Sequence, residues 1–86
     1  MIQNRGSDPL QAVPLASISA SGTYIVDKVS GSEQQRLRLC ELGIVVGSPL
    51  SIISANKGMR VVKVGGSRMA LSAGTTENIW LQPKKS

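Results

Sequence analysis

The sequence predicts a small, mostly-β domain: a strongly bent barrel of about five short strands, with one α-helix between the first strand and the second. Three observations carry that prediction. Short runs rich in Val, Ile and Leu are separated by tight-turn signals, Asn56-Lys57-Gly58 and Gly65-Gly66 among them. Nine glycines and many β-branched residues favour short strands and turns. A single segment, residues 32–43, carries both a helix start and a helix stop.

Residues 1–12 (MIQNRGSDPLQA) are polar with little periodicity and read as a flexible arm. The ordered domain is expected over residues 13–82. Its first segment, AVPLASI, forms one short turn that tucks Leu15 and Ile18 beneath the domain. Ser21-Gly22 marks a tight turn. Residues 23–29 (TYIVDKV) alternate as a strand, with Ile25 and Val29 on one face and Tyr24 and Val26 on the other.

Ser32 is placed to cap a helix, and Gln35 three residues on completes a capping box. Glu33 suits the positive end of the helix dipole. Leu37, Leu39, Cys40 and Leu42 form a wide apolar arc, as expected of a helix plugging one end of a barrel. With Leu42 as C-cap, Gly43 falls at C′, where φ is positive. Ile44 and Leu39 then take the two positions that touch in a Schellman motif.

After Gly47, residues 50–54, 60–64 and 68–72 read as three strands joined by the two turn signals. Residues 73–78 form one helical turn, residues 79–81 close the sheet, and residues 83–86 are a tail.

At 86 residues the chain is long enough for one small domain, which buries about 60–65% of its unfolded surface. The net charge of +5 suits an acidic partner, and is also an ordinary solubility charge. One Cys excludes an internal disulfide. Together with the lack of a secretory segment near Met1, it points to a reducing cytoplasm. No apolar run approaches the roughly 18 residues of a membrane span.

The order and spacing of four segments resemble one family. Leu39-x-x-Leu42-Gly43-Ile44-x-x-Gly47 resembles the helix-to-strand signature of ferrous-iron transport protein A, FeoA. Pro14-Leu15 through Gly22 to Val29-Ser30-Gly31 resembles that family's first strand and its flanks. The segments VKVGGSRMAL, from Val62, and NIWL, from Asn78, resemble its paired strands and its closing strand. Val46 departs from the pattern, where the family often has Pro before the Gly. The resemblance implies an SH3-like β-barrel of about five strands with one inserted α-helix. It also extends to the C-terminal module of iron-dependent repressors of the diphtheria-toxin-repressor type. No helix-turn-helix precedes the module here, so a stand-alone accessory protein is expected.

What the resemblance implies is a partner of the FeoB-type ferrous-iron transporter, acting by binding from the cytoplasm. The contact would be the transporter's GTPase domain or cytoplasmic face, reached without direct membrane insertion. Modulation of nucleotide hydrolysis, assembly and gating all stay open, as does the oligomeric state.

The residues themselves offer little chemistry. There is no His, and the five acidic residues are scattered, so no metal site or cofactor is expected. Cys40 reads as a small buried helix residue rather than a ligand or redox sensor. No Ser stands beside a base, so no catalytic residue can be named. Gly65-Gly66 lacks the spacing of a phosphate loop.

Two sets of residues are candidates for binding. Leu39, Leu42, Gly43, Ile44 and Gly47 form a scaffold whose exposed part makes a docking cleft. Lys57, Arg60, Lys63 and Arg68 form a basic patch if they share one side, and dispersed surface charge if not. Arg60 and Arg68 sit beside turns, where either could act as an arginine finger or be an ordinary solvated residue. Trp80 points outward if Ile79 and Leu81 point in, which makes it a contact candidate. A basic barrel binding nucleic acid is the alternative reading. The shortage of aromatic stacking platforms counts against it, so no nucleic-acid partner is expected.

Overall fold

Runs of β-branched residues too short to make stable helices pair instead into one antiparallel sheet. The computed structural model describes residues 12–83; the expected arm and tail therefore lie, apart from Ala12 and Pro83, outside the described residues. The strands are β1 (Val13–Pro14), β2 (Gly22–Val29), β3 (Pro49–Asn56), β4 (Met59–Val64), β5 (Ser67–Leu71) and β6 (Ile79–Pro83). Helix α1 (Glu33–Glu41) joins β2 to β3, and the short α2 (Ala73–Thr76) joins β5 to β6. The spatial order is β1-β6-β2-β3-β4-β5, curled into a partly open SH3-like barrel.

The sequence reading finds about five strands, and β1 is the sixth. Its two residues carry no periodicity, and Pro14 lacks an N–H, which confines it to a sheet edge. It pairs Val13 with Leu81 and Pro14 with Trp80. A 3₁₀ turn, Leu15–Ser17, then buries Leu15 completely. Burying a leucine to that extent contributes about 2–3 kcal/mol.

Two β-bulges bend the sheet. One lies between Val26 and Lys28 of β2, the other between Ile52 and Ser54 of β3. The first corrects the expected alternation. The extra residue reverses the parity, so Val26 and Val29 both turn toward the core instead of to opposite faces. Asp27, at the bulge, accepts a hydrogen bond from Gln82 Nε2. The second bulge leaves Ile53 outside while Leu50 and Ile52 stay buried. The core is completed by Val62 and Val64 of β4, Leu71 of β5, and Ile79 and Leu81 of β6.

Helix α1 starts and stops where local chemistry says it must. Ser32 Oγ accepts from Gln35 N at 3.1 Å, and Gln35 Oε1 accepts from Ser32 N at 2.8 Å. Replacing Ser32 with Ala is expected to cost about 1 kcal/mol and to speed exchange of the first-turn amides. Exchange measured by NMR, with no change in the β4 amides, is the check.

The packing of α1 overturns one expectation. Leu39 is its only buried residue, while Leu37 is 58% exposed, Leu42 42%, and Cys40 is exposed as well. The helix is anchored to the barrel through Leu39 alone, so the wide apolar arc expected of an end plug is not buried. At about 100° per residue, Leu37 sits roughly 200° round from Leu39 and Cys40 about 100° round, so neither shares the inward stripe.

Candidate functional site

The junction after α1 is built from backbone hydrogen bonds. Gly43, with φ of 92°, donates to Cys40 O at 3.0 Å, and Ile44 N donates to Leu39 O at 2.9 Å. That is the bond pair of a Schellman motif. Gly47 N then donates to Val26 O at 2.8 Å, and Val26 N donates to Ser48 O at 2.9 Å, which sets β3 against β2.

This frame divides the expected docking residues. Leu39 and Ile44 are 4% and 1% exposed and hold α1 to the barrel. Gly43 and Gly47 set the path of the chain. Leu42 faces outward, and so do Val45 at 38% and Val46 at 66% exposure. The sequence reading missed both valines as surface residues. Two β-branched apolar residues inside a turn, with no strand partner to bury them, were the available signal.

A groove of about 280 Å³ lies between α1 and the β5–α2 segment. Arg38, Leu39 and Leu42 line its helix wall, and Ala70, Leu71 and Ser72 line the other.

The four expected basic residues do not form one patch. Lys63 and Arg68 are cross-strand partners, both exposed. Lys57 is in the β3–β4 turn, with φ of 50°, beside Gly58 at 85°. It sits beyond the other end of β4, whose first residue Met59 is about 13 Å along the strand from Lys63 at 3.3 Å per residue.

Arg60 is corrected outright. It is 6% exposed and shares the inward parity of Val62 and Val64. Its Nε donates to Ile18 O at 2.8 Å, Nη2 to Ala16 O at 2.8 Å and Nη1 to Met59 O at 2.9 Å. Three of its five N–H donors are taken by carbonyls in place of a counter-ion, and its burial withdraws the guanidinium from the surface where a finger would have to act.

Ile79 and Leu81 are fully buried, which puts Trp80 on the outward side of β6. It is half-buried between its strand neighbours Pro14 and Lys28, and Lys28 Nζ stands 5.7 Å from its ring centroid. Tyr24 is half-buried against the core, its hydroxyl donating to Ala20 O at 3.2 Å. Cys40, expected to be buried, is exposed on α1. Among the described residues no three of His, Cys, Asp and Glu come together as a metal site. No helix among them is long and apolar enough to cross a membrane.

Comparison with known proteins places this geometry. The FeoA domain family matches residues 13–83. No curated protein matches the sequence. Among solved structures, an iron uptake regulatory protein of FeoA type superposes with a TM-score of 0.76 at 24% identity, over 83% of this chain and 96% of that one. A FeoA-like protein from Clostridium acetobutylicum gives 0.76 at 14% identity, over 88% and 91%. A manganese-dependent transcriptional repressor gives 0.77 at 21% identity, but this chain spans only 42% of its length. At these identities the superpositions establish a shared fold.

Proposed function

The chain belongs to the FeoA domain family, and from that premise we propose that it is a small accessory protein of ferrous-iron uptake. It acts by docking on the cytoplasmic GTPase domain or cytoplasmic face of a FeoB-type transporter. It works by binding rather than by catalysis, and it reaches the membrane through that partner. The observation that carries the reading is the outward apolar cluster of Leu42, Val45 and Val46 on a turn held rigid by backbone bonds. Apolar side chains that a small domain leaves in contact with water favour a protein partner that covers them. The burial of Arg60 removes one of the four cations a phosphate-binding surface would have used, which weakens the nucleic-acid alternative.

The test is a titration of the isotopically labelled chain with the isolated GTPase domain, with an oligonucleotide in parallel. Amide shifts should cluster around Gly43 to Gly47 and appear only with the protein. Val46→Asp should change stability by less than about 0.5 kcal/mol, because the side chain is largely solvated. It should weaken docking at least tenfold. Unchanged docking by this variant and by Val45→Asp would overturn the site. Shifts seen only with the oligonucleotide, and lost steeply as salt rises, would replace the reading with phosphate binding.

A further inference from the structure

Strand β5 is bonded on one side only. It ends the sheet, with β4 as its single neighbour, and the two-residue Gly65-Gly66 turn makes Val64 and Ser67 the closing pair. Closing residues of such a hairpin exchange both backbone bonds, and the pattern then alternates. The N–H and C=O groups of Ser67, Met69 and Leu71 therefore face β4, and those of Arg68 and Ala70 face away from it. Among the described residues, no backbone group outside the sheet bonds to Arg68 or Ala70. Proteins ordinarily shorten, cover or blunt such an edge. The opposite edge, β1, is two residues long and contains Pro14; β5 has five residues and no proline.

The groove walled on its far side by α1 meets this edge at its C-terminal end, at Ala70 and Leu71. We propose that the groove takes an extended, acidic segment of a partner protein, added to β5 as a seventh strand. Three features converge on that occupant. The outward N–H and C=O groups of Arg68 and Ala70 supply the main-chain bonds of strand addition. Leu39, Leu42 and Leu71 supply an apolar seat for a side chain of the added strand, in a space of about 280 Å³ that suits one or two side chains and not a folded domain. Arg38 is the only charged residue lining the groove, and Arg68 stands on the open strand with Lys63 across from it. Acidic residues of the segment find Arg38 in the groove and Arg68 further along the open strand, and no lining carboxylate opposes them. A second copy of this chain fits poorly, since edge-to-edge pairing would bring two Arg68-bearing strands of a +5 chain together. The proposal deepens the adaptor reading, because it assigns the segment to the docking partner.

The probe is a capped heptapeptide alternating Glu and Val, with the Lys–Val peptide of equal length as control, each titrated into the full labelled chain. The Glu–Val peptide should shift the Arg68 and Ala70 amides and slow their hydrogen exchange at least tenfold, and the Lys–Val peptide should do neither. Ala70→Pro removes one outward donor at an edge, where proline is tolerated, and should weaken peptide binding at least tenfold. Should that variant misfold, reversing the two exposed charges (Arg38→Glu with Arg68→Glu) should switch the preference to the Lys–Val peptide. Absence of binding at millimolar peptide, shifts confined to Val45 and Val46, or no response to charge reversal would overturn the proposal. A concentration-dependent dimer that vanishes in Ala70→Pro would give the edge to a second copy instead. The transporter is absent from this titration. Peptide binding without GTPase-domain docking would therefore sink the adaptor reading alone, and docking without peptide binding would sink the groove alone.

Discussion

Gly43→Val should destabilise the domain by about 2–4 kcal/mol. The residue holds φ at 92°, where an L side chain is strained by about 1–2 kcal/mol and a β-branched one by more. A Cβ there would meet Val64 Cγ1 at 3.3 Å. Val64 is 8% exposed and part of the core, so it has little room to withdraw. Escaping the strain means opening the Schellman bonds to Cys40 O and Leu39 O, and those bonds seat Leu39 and Ile44 in the core. At about 4–8 °C per kcal/mol for a domain of this size, the melting temperature should fall by roughly 8–32 °C. Gly43→Asn should cost least, Gly43→Ala more and Gly43→Val most, following tolerance of positive φ. Equal losses for Ala and Val in thermal melts would show that conformation at Gly43 is not the controlling factor.

Arg60→Ala is the second large effect, at about 3 kcal/mol. The side chain ties β4 to the middle of the 3₁₀ turn and to the residue that follows it, through the carbonyls of Ala16 and Ile18. Hydrogen bonds to a charged donor contribute about 1.5–3 kcal/mol each, offset by the cost of burying the guanidinium. Truncation also opens a cavity and leaves the part-buried carbonyls of Ala16 and Ile18 without their donor. Arg60→Lys should recover less than half of the loss, because one ammonium cannot reproduce the planar fork that reaches Ala16, Ile18 and Met59 together. Exchange of the Ile18 amide, which donates to Leu15 O at 3.1 Å, should quicken in both variants. If Arg60→Lys matches the parent in stability and Arg60→Ala loses less than about 1 kcal/mol, the residue is a surface charge after all and belongs back in the basic patch.

The elements legible in the sequence are those whose determinants lie within a few residues of one another. Ser32 and Gln35 close their capping box across three residues, and Leu39, Gly43 and Ile44 close the helix stop across five. Lys57-Gly58 in one hairpin and Gly65 in the other turn the chain through the positive φ they adopt. Such signals are local steric and hydrogen-bonding facts, and distant parts of the chain do not have to agree before they act. The helix boundaries and the three-strand run after Gly47 follow from them.

The candidate site was legible only in part. Gly43 and Gly47 are marked by their positions after the helix, whereas no periodicity marks Val45 and Val46 as exposed within a turn. Arg60 did carry a signal: it shares the period of two with Val62 and Val64. That signal was outweighed because the carbonyls that make its burial tolerable are 42 and 44 residues earlier in the chain.

The sequence by itself determined where the chain turns, where its helix begins and ends, and that it is mostly β. The tertiary structure decided which way those elements face. The bulge at Asp27 turns Val29 inward, the lie of α1 leaves Leu37 and Cys40 in solvent, and the sheet order leaves β5 as an open edge beside a groove. Each of these depends on a pairing register or a packing contact between residues far apart in sequence, and the free energy of such a contact exists only once both partners are in place.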